Sequence, residues 1–307
     1  MKMKLVNRNG FMMILMVIAL LALLFAPLAA LSQDTGLQQA MDRAAAAGVD
    51  QERLNQIQDR ASARGVDDAV LARLLEPAAD LAENNMPSDF VLQKILEGFS
   101  KGVPGGRMMP VIESIHSQTP QAVAMADRWI AGAEVAPFMQ AMGGQQPRFR
   151  QDLVNAGLKS LTQNVAAETI ESVLNELGRA PVLERTSPQA IAAAVGILPD
   201  LPASVLNEKG IHELIAKAVE GGFSAADIQR LPGAMNAAER RSQLPAASVL
   251  EGMSHQLGGG IPANQILQNL FNGNINAGPP QGIPGRPGNR PDRPGGRPGN
   301  GPGNSGL

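Results

Sequence analysis

The chain of 307 residues contains no cysteine and no tyrosine, and Trp129 is its one tryptophan. The absence of cysteine excludes disulfides, thiolate metal sites, cysteine nucleophiles and lipid attachment to an N-terminal cysteine. The scarcity of aromatic residues leaves few rings for stacking on bases or sugars. A formal net charge of −2 at pH 7 provides no positive field for phosphate binding, so we expect no nucleic-acid partner.

Residues 1–32 have the layout of a secretory signal peptide. Basic residues precede an apolar run over residues 11–25, and proline and small residues follow it. We expect cleavage after Ser32 and a location in the periplasm, in the cell envelope or outside the cell. After cleavage, we expect no stable insertion into a membrane. The alternative is an uncleaved N-terminal anchor, because residues 11–31 are about long enough to span a bilayer.

Apolar residues recur at helical spacing from residue 35 to 271. In "SDFVLQKILEGF", Leu92, Ile95, Leu96 and Phe99 stand at i, i+3, i+4 and i+7, on one face of a helix. No run of alternating β-branched residues indicates a strand. The sequence therefore predicts an all-α fold of short antiparallel helices in irregular helix-pair repeats, arranged as a solenoid or a bundle.

Short joints of glycine, an apolar residue and Asp, Ser or Pro recur along this zone. Glycine adopts the left-handed backbone that ends a helix, while Asp or Ser caps the next helix and Pro begins it. Steps of 16 to 21 residues between joints predict helix pairs of roughly 34 to 40 residues. Pro120 and Pro137 continue the series more loosely. We predict structural roles at the joints and contacts for Gly65, Asp67, Pro87, Gly98, Gly102, Pro104, Ser224, Pro245, Gly252, Gly260 and Pro262.

Composition divides the chain into five parts. After the signal peptide, residues 33–147 are predicted to form N-terminal helical repeats, and residues 202–272 C-terminal ones. Residues 148–201 fit the repeat poorly and form a divergent helical section. Residues 273–307 are rich in Gly, Pro and Arg and offer almost nothing apolar to bury, which predicts a disordered tail.

One of these joints resembles a motif of other helical proteins. "EGFSKGVP", from Glu97 to Pro104, resembles a Glu-Gly-x-x-Lys-Gly-apolar-Pro motif of uncharacterised exported bacterial α-helical repeat proteins. "EGMSHQLGGGIP", from Glu251 to Pro262, is a weaker echo of it. The resemblance implies a repeat protein and no particular activity. The recurrence of the motif's glycine as Gly98 and Gly252 predicts a close contact between helices.

The same joint also matches the G-x-S-x-G pattern of hydrolases around Ser100. A nucleophile elbow needs a strand before the serine, and an amphipathic helix is predicted there instead. Glu97 and Lys101 stand at i and i+4 in the favourable order for an ion pair on that helix. We therefore interpret Ser100 as incidental to any catalysis.

Two further kinds of chemistry stay open as weaker hypotheses. Glu113-Ser114 and Glu171-Ser172 resemble the Glu-Ser pair of all-α envelope transglycosylases, although the Gly-Leu-Met-Gln segment of that family is missing. Thioethers can bind Cu(I) in exported proteins, but methionine more often fills a core. The methionines that would form such a copper site are Met108, Met109, Met125, Met139 and Met142, with His116 nearby.

The predicted function is that of an exported, non-enzymatic helical-repeat protein with a binding, scaffolding or structural role in the bacterial cell envelope. Its expected partner is an unidentified protein or envelope polymer, and no cofactor is expected. The alternative function is that of a cell-wall hydrolase or lyase that uses one glutamate, Glu113 or Glu171.

Overall fold

A computed structural model describes residues 28–275, with side chains from Gly36 onward. This part of the chain folds into α-helices and two short 3-10 segments, and it contains no strand. The all-α prediction is therefore confirmed for residues 28–275. The predicted signal peptide and tail lie outside the described residues except at their inner ends. None of the helices between residues 28 and 275 is long and apolar enough to cross a membrane.

The helices follow one another with short joints. In chain order they are α1 Leu28–Ala46, α2 Gln51–Ala63, α3 Asp68–Glu83, α4 Asp89–Ser100, α5 Gly105–Ile130, α6 Ala136–Met142, α7 Gln146–Thr162, α8 Ala167–Leu177, α9 Ala180–Leu183, α10 Pro188–Gly196, α11 Ala203–Leu206, α12 Ile211–Glu220, α13 Ala225–Ser242, α14 Ala246–Gly258 and α15 Ala263–Asn272. The 3-10 segments are Gly143–Gln145 and Leu198–Asp200. The predicted boundary after residue 147 falls in the first turn of α7, and the boundary after residue 201 precedes α11.

The helices pack in two rows. Row A contains α1, α3, α5, α7, α10, α13 and α15, and each of these helices packs against the next one in the row. Row B consists of two groups: α2 packs against α4, and later in the chain α8 packs against α12, which packs against α14. The four-residue helices α9 and α11 pack against row B, on α12 and α14. Outside the stretch from α5 to α7, the chain alternates between the rows, and one face of each long helix is buried against its neighbours.

The apolar face predicted for α4 is buried in this arrangement. Leu92, Ile95 and Phe99 are no more than 2% exposed, and Leu96 is half-buried at the edge of the same face. Full burial of a side chain of this size contributes about 1.5–3 kcal/mol. The helical spacing of apolar residues is therefore what places α4 in row B.

Several helices end at a glycine in the left-handed backbone conformation. Gly65 follows α2 with φ +65°, Gly102 follows α4 with φ +69°, and Gly260 follows α14 with φ +68°. Residues with a Cβ rarely adopt this conformation, so glycine is the residue that allows the chain to turn there. At the corresponding position after α3 stands Asn85, with φ +56°.

Two helices, α3 and α13, begin with side-chain caps at residues that the sequence suggests. Asp67 precedes α3 and its side chain accepts a hydrogen bond from the backbone N–H of Ala69 at 2.9 Å. Ser224 and Asp227 form a reciprocal capping box at the start of α13. Because the first N–H groups of a helix lack partners within it, these caps stabilise the helix starts.

The expectation that Pro120 begins a helix is wrong, because α5 continues through it to Ile130. No glycine precedes Pro120, so nothing turns the chain out of the helix there. Ile115, Thr119, Ala122 and Ala126 form a buried stripe on both sides of the proline, while Pro120 itself is exposed. Burial of this stripe outweighs the roughly 3 kcal/mol that an interior proline costs a helix.

Helix α5 is long enough for its two halves to take different places in the packing. Its first half runs parallel to α3 in row A, since Gly105 lies against Val70 and His116 lies 3.7 Å from Asp80. Its end lies beside the start of α7, where Arg150 donates to Asp127 at 2.6 Å, so α5 and α7 are antiparallel. The second half of α5 therefore lies beside α8 and acts as the row B partner of α7.

The N-terminal boundary of the packed helices bears on the predicted processing site. Helix α1 begins at Leu28, so cleavage after Ser32 would fall within its first turns. The buried side chains of α1 that are described are Leu37, Met41 and Ala44, all beyond that position. Cleavage there would leave these contacts of α1 in place.

Candidate functional site

Four grooves on the described surface are candidates for function, and the first contains Glu171. It lies between α5 and α8, has a volume of about 260 Å³, and is lined by Met125, Arg128, Trp129, Glu171, Leu174 and Asn175. The indole Nε1 of Trp129 donates to the backbone oxygen of Leu174 at 2.6 Å, which fixes the ring. Trp129 is 7% exposed, so little of the ring faces the groove.

The geometry around Glu171 suits an anion better than a proton donor. Arg128 Nη2 donates to Glu171 Oε1 at 2.8 Å, and the Glu171 side chain is 40% exposed. A catalytic general acid needs a bound proton and therefore apolar surroundings. The guanidinium and the solvent contact of Glu171 provide the opposite environment.

The other glutamate of the hydrolase hypothesis lies elsewhere. Glu113 is exposed on the first half of α5, and it lines none of the four grooves. The structure therefore does not bring Glu113 and Glu171 together in one of these grooves.

Ser100 stands at the end of α4 with a hydrogen-bonding pattern that is structural. Its hydroxyl donates to the backbone oxygen of Leu96 at 2.7 Å and accepts from Arg60 Nη1 at 2.6 Å. Helix α4 precedes it, where a nucleophile elbow would need a strand. Arg60 belongs to α2, so Ser100 joins two neighbouring helices of row B.

Glu97, one turn before Ser100, is held by two lysines. Lys101 Nζ lies 2.5 Å from Glu97 Oε1, and Lys94 Nζ lies 2.7 Å from Oε2. The hydrogen bonds from Lys101 and from Lys94 lower the pKa of Glu97 to about 2. Glu97 is therefore a charged surface residue of α4 and has no free oxygen aimed at a groove.

The methionines of the copper hypothesis belong largely to the core. Met108, Met125 and Met139 are buried, and Met109 is half-buried. The sulfur of Met108 lies where a Cβ on Gly98 would be, so α4 and α5 approach closely at this point. Among residues 28–275, no group of three or more His, Asp or Glu side chains could hold a metal ion.

Of the remaining predicted joint residues, the prolines lie at or just before helix starts, and Gly252 lies inside a helix. Pro104, Pro245 and Pro262 immediately precede α5, α14 and α15. Pro87 lies one residue before the N-cap of α4. Gly252, the counterpart of Gly98, is buried within α14.

A second groove, of about 380 Å³, lies between two joints. It is lined by Arg64, Gly65, Val66, Asp67, Val70, Phe99, Gly102, Val103, Pro104, Gly105 and Gly106. A Cβ on Gly105 would lie 2.5 Å from Val70 Cγ1, so glycine is required where α5 begins against α3. This groove contains most of the joint residues predicted in the N-terminal half, and their role there is to let the helices meet.

The largest of the four grooves crosses three helices of row A and is called the alanine groove. It has a volume of about 660 Å³ and is lined by Asp152, Ala156, Lys159, Gln189, Ala192, Ala193, Gly196, Ile197, Asp200, Ala225 and Gln229. Alanines form much of its floor, and amide and charged groups form its edges. Such a surface can take an extended or helical segment of a partner between polar edges.

Helices α7 and α10 meet closely at the edge of the alanine groove. Ser160 Oγ donates to the backbone oxygen of Val195 at 2.9 Å, and Lys159 Nζ donates to that of Gly196 at 2.9 Å. These carbonyls belong to the last turn of α10, where they lack partners within the helix. Two side chains of α7 therefore provide hydrogen-bond donors to the backbone carbonyls at the end of α10.

The fourth groove lies in row B between α12 and α14 and is called the glutamate groove. It has a volume of about 240 Å³ and is lined by Glu208, Lys209, Gly210, Glu213, Leu214, Lys217, Ala247, Leu250, Glu251 and Ser254. Glu251 belongs to the echo of the Glu97 motif. The sequence does not predict this groove, because its two sides come from separate helices. Of its lining residues, only Glu251 belongs to a motif.

Comparison of the chain with protein-family models, with curated proteins and with solved structures found no significant match.

Proposed function

We propose that this chain is an exported, non-enzymatic helical-repeat protein that binds or scaffolds a component of the bacterial cell envelope. The observation that carries the proposal is the regular distance along the chain between contacting helices. Hydrogen bonds join α1 to α3, α2 to α4 and α7 to α10 between residues 35 to 40 positions apart. Repeats that stack in this way create extended surfaces for partners.

The location in the envelope rests on the signal-like sequence of residues 1–32. The partner class is a protein or an envelope polymer, and the alanine groove is the largest of the four grooves described above. The groove crosses α7, α10 and α13, so a partner there would contact three successive helices of row A.

The test expresses the full chain in a bacterium and measures its intact mass, its cell fraction and its bound components. We expect a mass beginning at Gln33, recovery outside the cytoplasm, and a specific envelope component that co-purifies. Ala193→Glu, in the groove floor, should abolish that binding, while Ala226→Glu, an exposed position on α13, should preserve it. An unprocessed cytoplasmic protein, or one without any bound envelope component, would contradict the proposal.

The second candidate is a cell-wall hydrolase or lyase, which the position of Glu171 beside Trp129 in a groove favours. Purified sacculi provide the assay. Turnover that Glu171→Gln abolishes and Glu113→Gln preserves would replace the binding proposal with this one. We expect no turnover, because Glu171 is paired with Arg128.

A further inference from the structure

The glutamate groove carries charges that the described part of the chain leaves unpaired. Glu208, Glu213 and Glu251 stand beside Lys209 and Lys217 around the groove. Every ion pair between residues 36 and 275 involves residues from Arg43 to Asp200, so none involves this groove. The lining therefore has a net charge of −1 and carboxylates that are free to accept hydrogen bonds.

The opposite row of the same region is basic. Helix α13, in row A, carries the exposed residues Arg230, Arg240 and Arg241 together with Asp227 and Glu239, which gives it a net charge of +1. Gly273, which follows α15, lies against Arg241, with 2.8 Å between a Cβ built on the glycine and the Arg241 Cβ. The chain thus leaves the helices beside arginines, and repulsion directs a cationic segment away from row A.

The segment that follows has the complementary charge. Arg286, Arg290, Arg293 and Arg297 lie between residues 276 and 307, and Asp292 is the only acid there. A proline follows each of these arginines.

We propose that residues 276–307, called the tail, bind the glutamate groove of their own chain. The tail arginines donate to Glu213 and Glu251, which are exposed on α12 and α14 on the two sides of the groove. Hydrogen bonds between guanidinium and carboxylate groups are charge-assisted and have the geometry to position an extended segment.

The tail is long enough for this contact. Arg286 is eleven residues after Ile275, and an extended chain covers about 3.3–3.6 Å per residue. Helix α14 packs directly against α15, and its 13 residues span about 20 Å. The first tail arginine therefore reaches any part of the α14 side of the groove.

This contact does not depend on the proposed envelope function. A tail in the glutamate groove covers row B between α12 and α14, so a partner of that surface must displace it. The alanine groove, in row A, stays accessible with the tail in place.

The test is paramagnetic relaxation in the full chain. Because the chain has no cysteine, Gly295→Cys gives a single site for a nitroxide label within the tail. We expect loss of amide signal at Leu214 and Leu250, with no loss at Leu92 of α4. About 1 M NaCl should restore the signal, since the Debye length then falls to about 3 Å.

Two double variants test whether Glu213 and Glu251 are the carboxylates that bind the tail. Glu213→Gln with Glu251→Gln should restore the Leu214 and Leu250 signals, while Asp59→Asn with Glu76→Gln, at exposed sites before α5, should leave the loss unchanged. No loss at α12 and α14, equal loss at α4, or equal effects of the two double variants would overturn the proposal. Loss that appears only between labelled and unlabelled molecules would overturn it in favour of contact with a second copy.

Discussion

The helices before α5 and those after Asp200 share one packing scheme but differ in how charged residues take part in it. Arg43 of α1 binds Asp80 and Glu83 of α3, and Arg53 of α2 binds Asp89 of α4. Between Leu201 and Ile275, no ion pair joins the helices, although α12, α13 and α14 carry charged residues. Apolar packing holds the C-terminal helices together with a few hydrogen bonds, such as those from Asn269 to Gln256 and from Ser204 to Glu239, and most of their charges remain available to other groups.

The Arg43 contacts show what such pairing does to the groups involved. Hydrogen bonds to Glu83 and Asp80 raise the pKa of Arg43, and the hydrogen bond from Arg43 lowers the pKa of Glu83. These side chains occupy the last turns of α1 and α3, so they fix the relative position of two neighbours in row A. The C-terminal neighbours α13 and α15 meet instead through Phe271, whose ring lies 5.6 Å from Arg230 and near Gly233.

The largest expected effect comes from removing the close approach of α4 and α5. Gly98→Leu places a side chain where Met108 lies, so we expect a loss of about 1–3 kcal/mol in the free energy of unfolding. Gly106→Leu, on the open side of α5, should change the stability far less. Urea unfolding of both variants is the measurement, and equal midpoints for Gly98→Leu and the wild type would refute this packing role.

The next effect concerns the end of α10. Ser160→Ala leaves the buried carbonyl of Val195 without its side-chain donor, at a cost of about 1 kcal/mol. Ser172→Ala is the matched control, because its hydroxyl donates only to Glu168 in its own helix. Thermal unfolding should separate the two variants. Identical melting temperatures would show that α7 does not stabilise the end of α10.

An arginine exchange tests the comparison between the two regions directly. Arg43→Gln removes two ion pairs between α1 and α3, whereas Arg240→Gln on α13 removes none. We expect a lower urea midpoint for Arg43→Gln and an unchanged one for Arg240→Gln. Both variants lose the same charge, so equal midpoints would mean that the pairing itself contributes nothing.

The smallest effect is the pH dependence of Glu97. Its folded-state pKa is about 2, below the ordinary value of 4.5, so its stabilisation is present above pH 4.5 and is lost as the pH falls towards 2. We expect Glu97→Gln to lose about 0.5 kcal/mol at neutral pH, as is typical of surface pairs. Urea titrations across this range should show the difference from the wild type disappearing near pH 2.

The helical stripes and most joints could be predicted from the sequence because both depend on residues close together in the chain. The spacing of Leu92, Ile95 and Phe99 specifies a buried face, and Gly102 before Pro104 specifies a turn followed by a helix start. The same reasoning wrongly predicted a helix start at Pro120. A proline alone does not end a helix whose buried stripe continues beyond it.

The grooves could not be predicted in the same way. The alanine groove joins side chains of three helices, and row A continues past α5 only because this helix is long enough to pack against both α3 and α7. Glu171 was recognised as a candidate, but its partner Arg128 lies 43 residues away in the chain. Pairing at that distance is a property of the packed helices.

The account rests on the claim that ion pairs join row A at its N-terminal end and not at its C-terminal end. Hydrogen exchange of α1 and α3, compared with α13 and α15, at low and at about 1 M salt tests it most directly, because salt screens exposed ion pairs. We predict that salt accelerates exchange in α1 and α3 and leaves α13 and α15 unchanged. Equal acceleration in both pairs of helices would contradict the account.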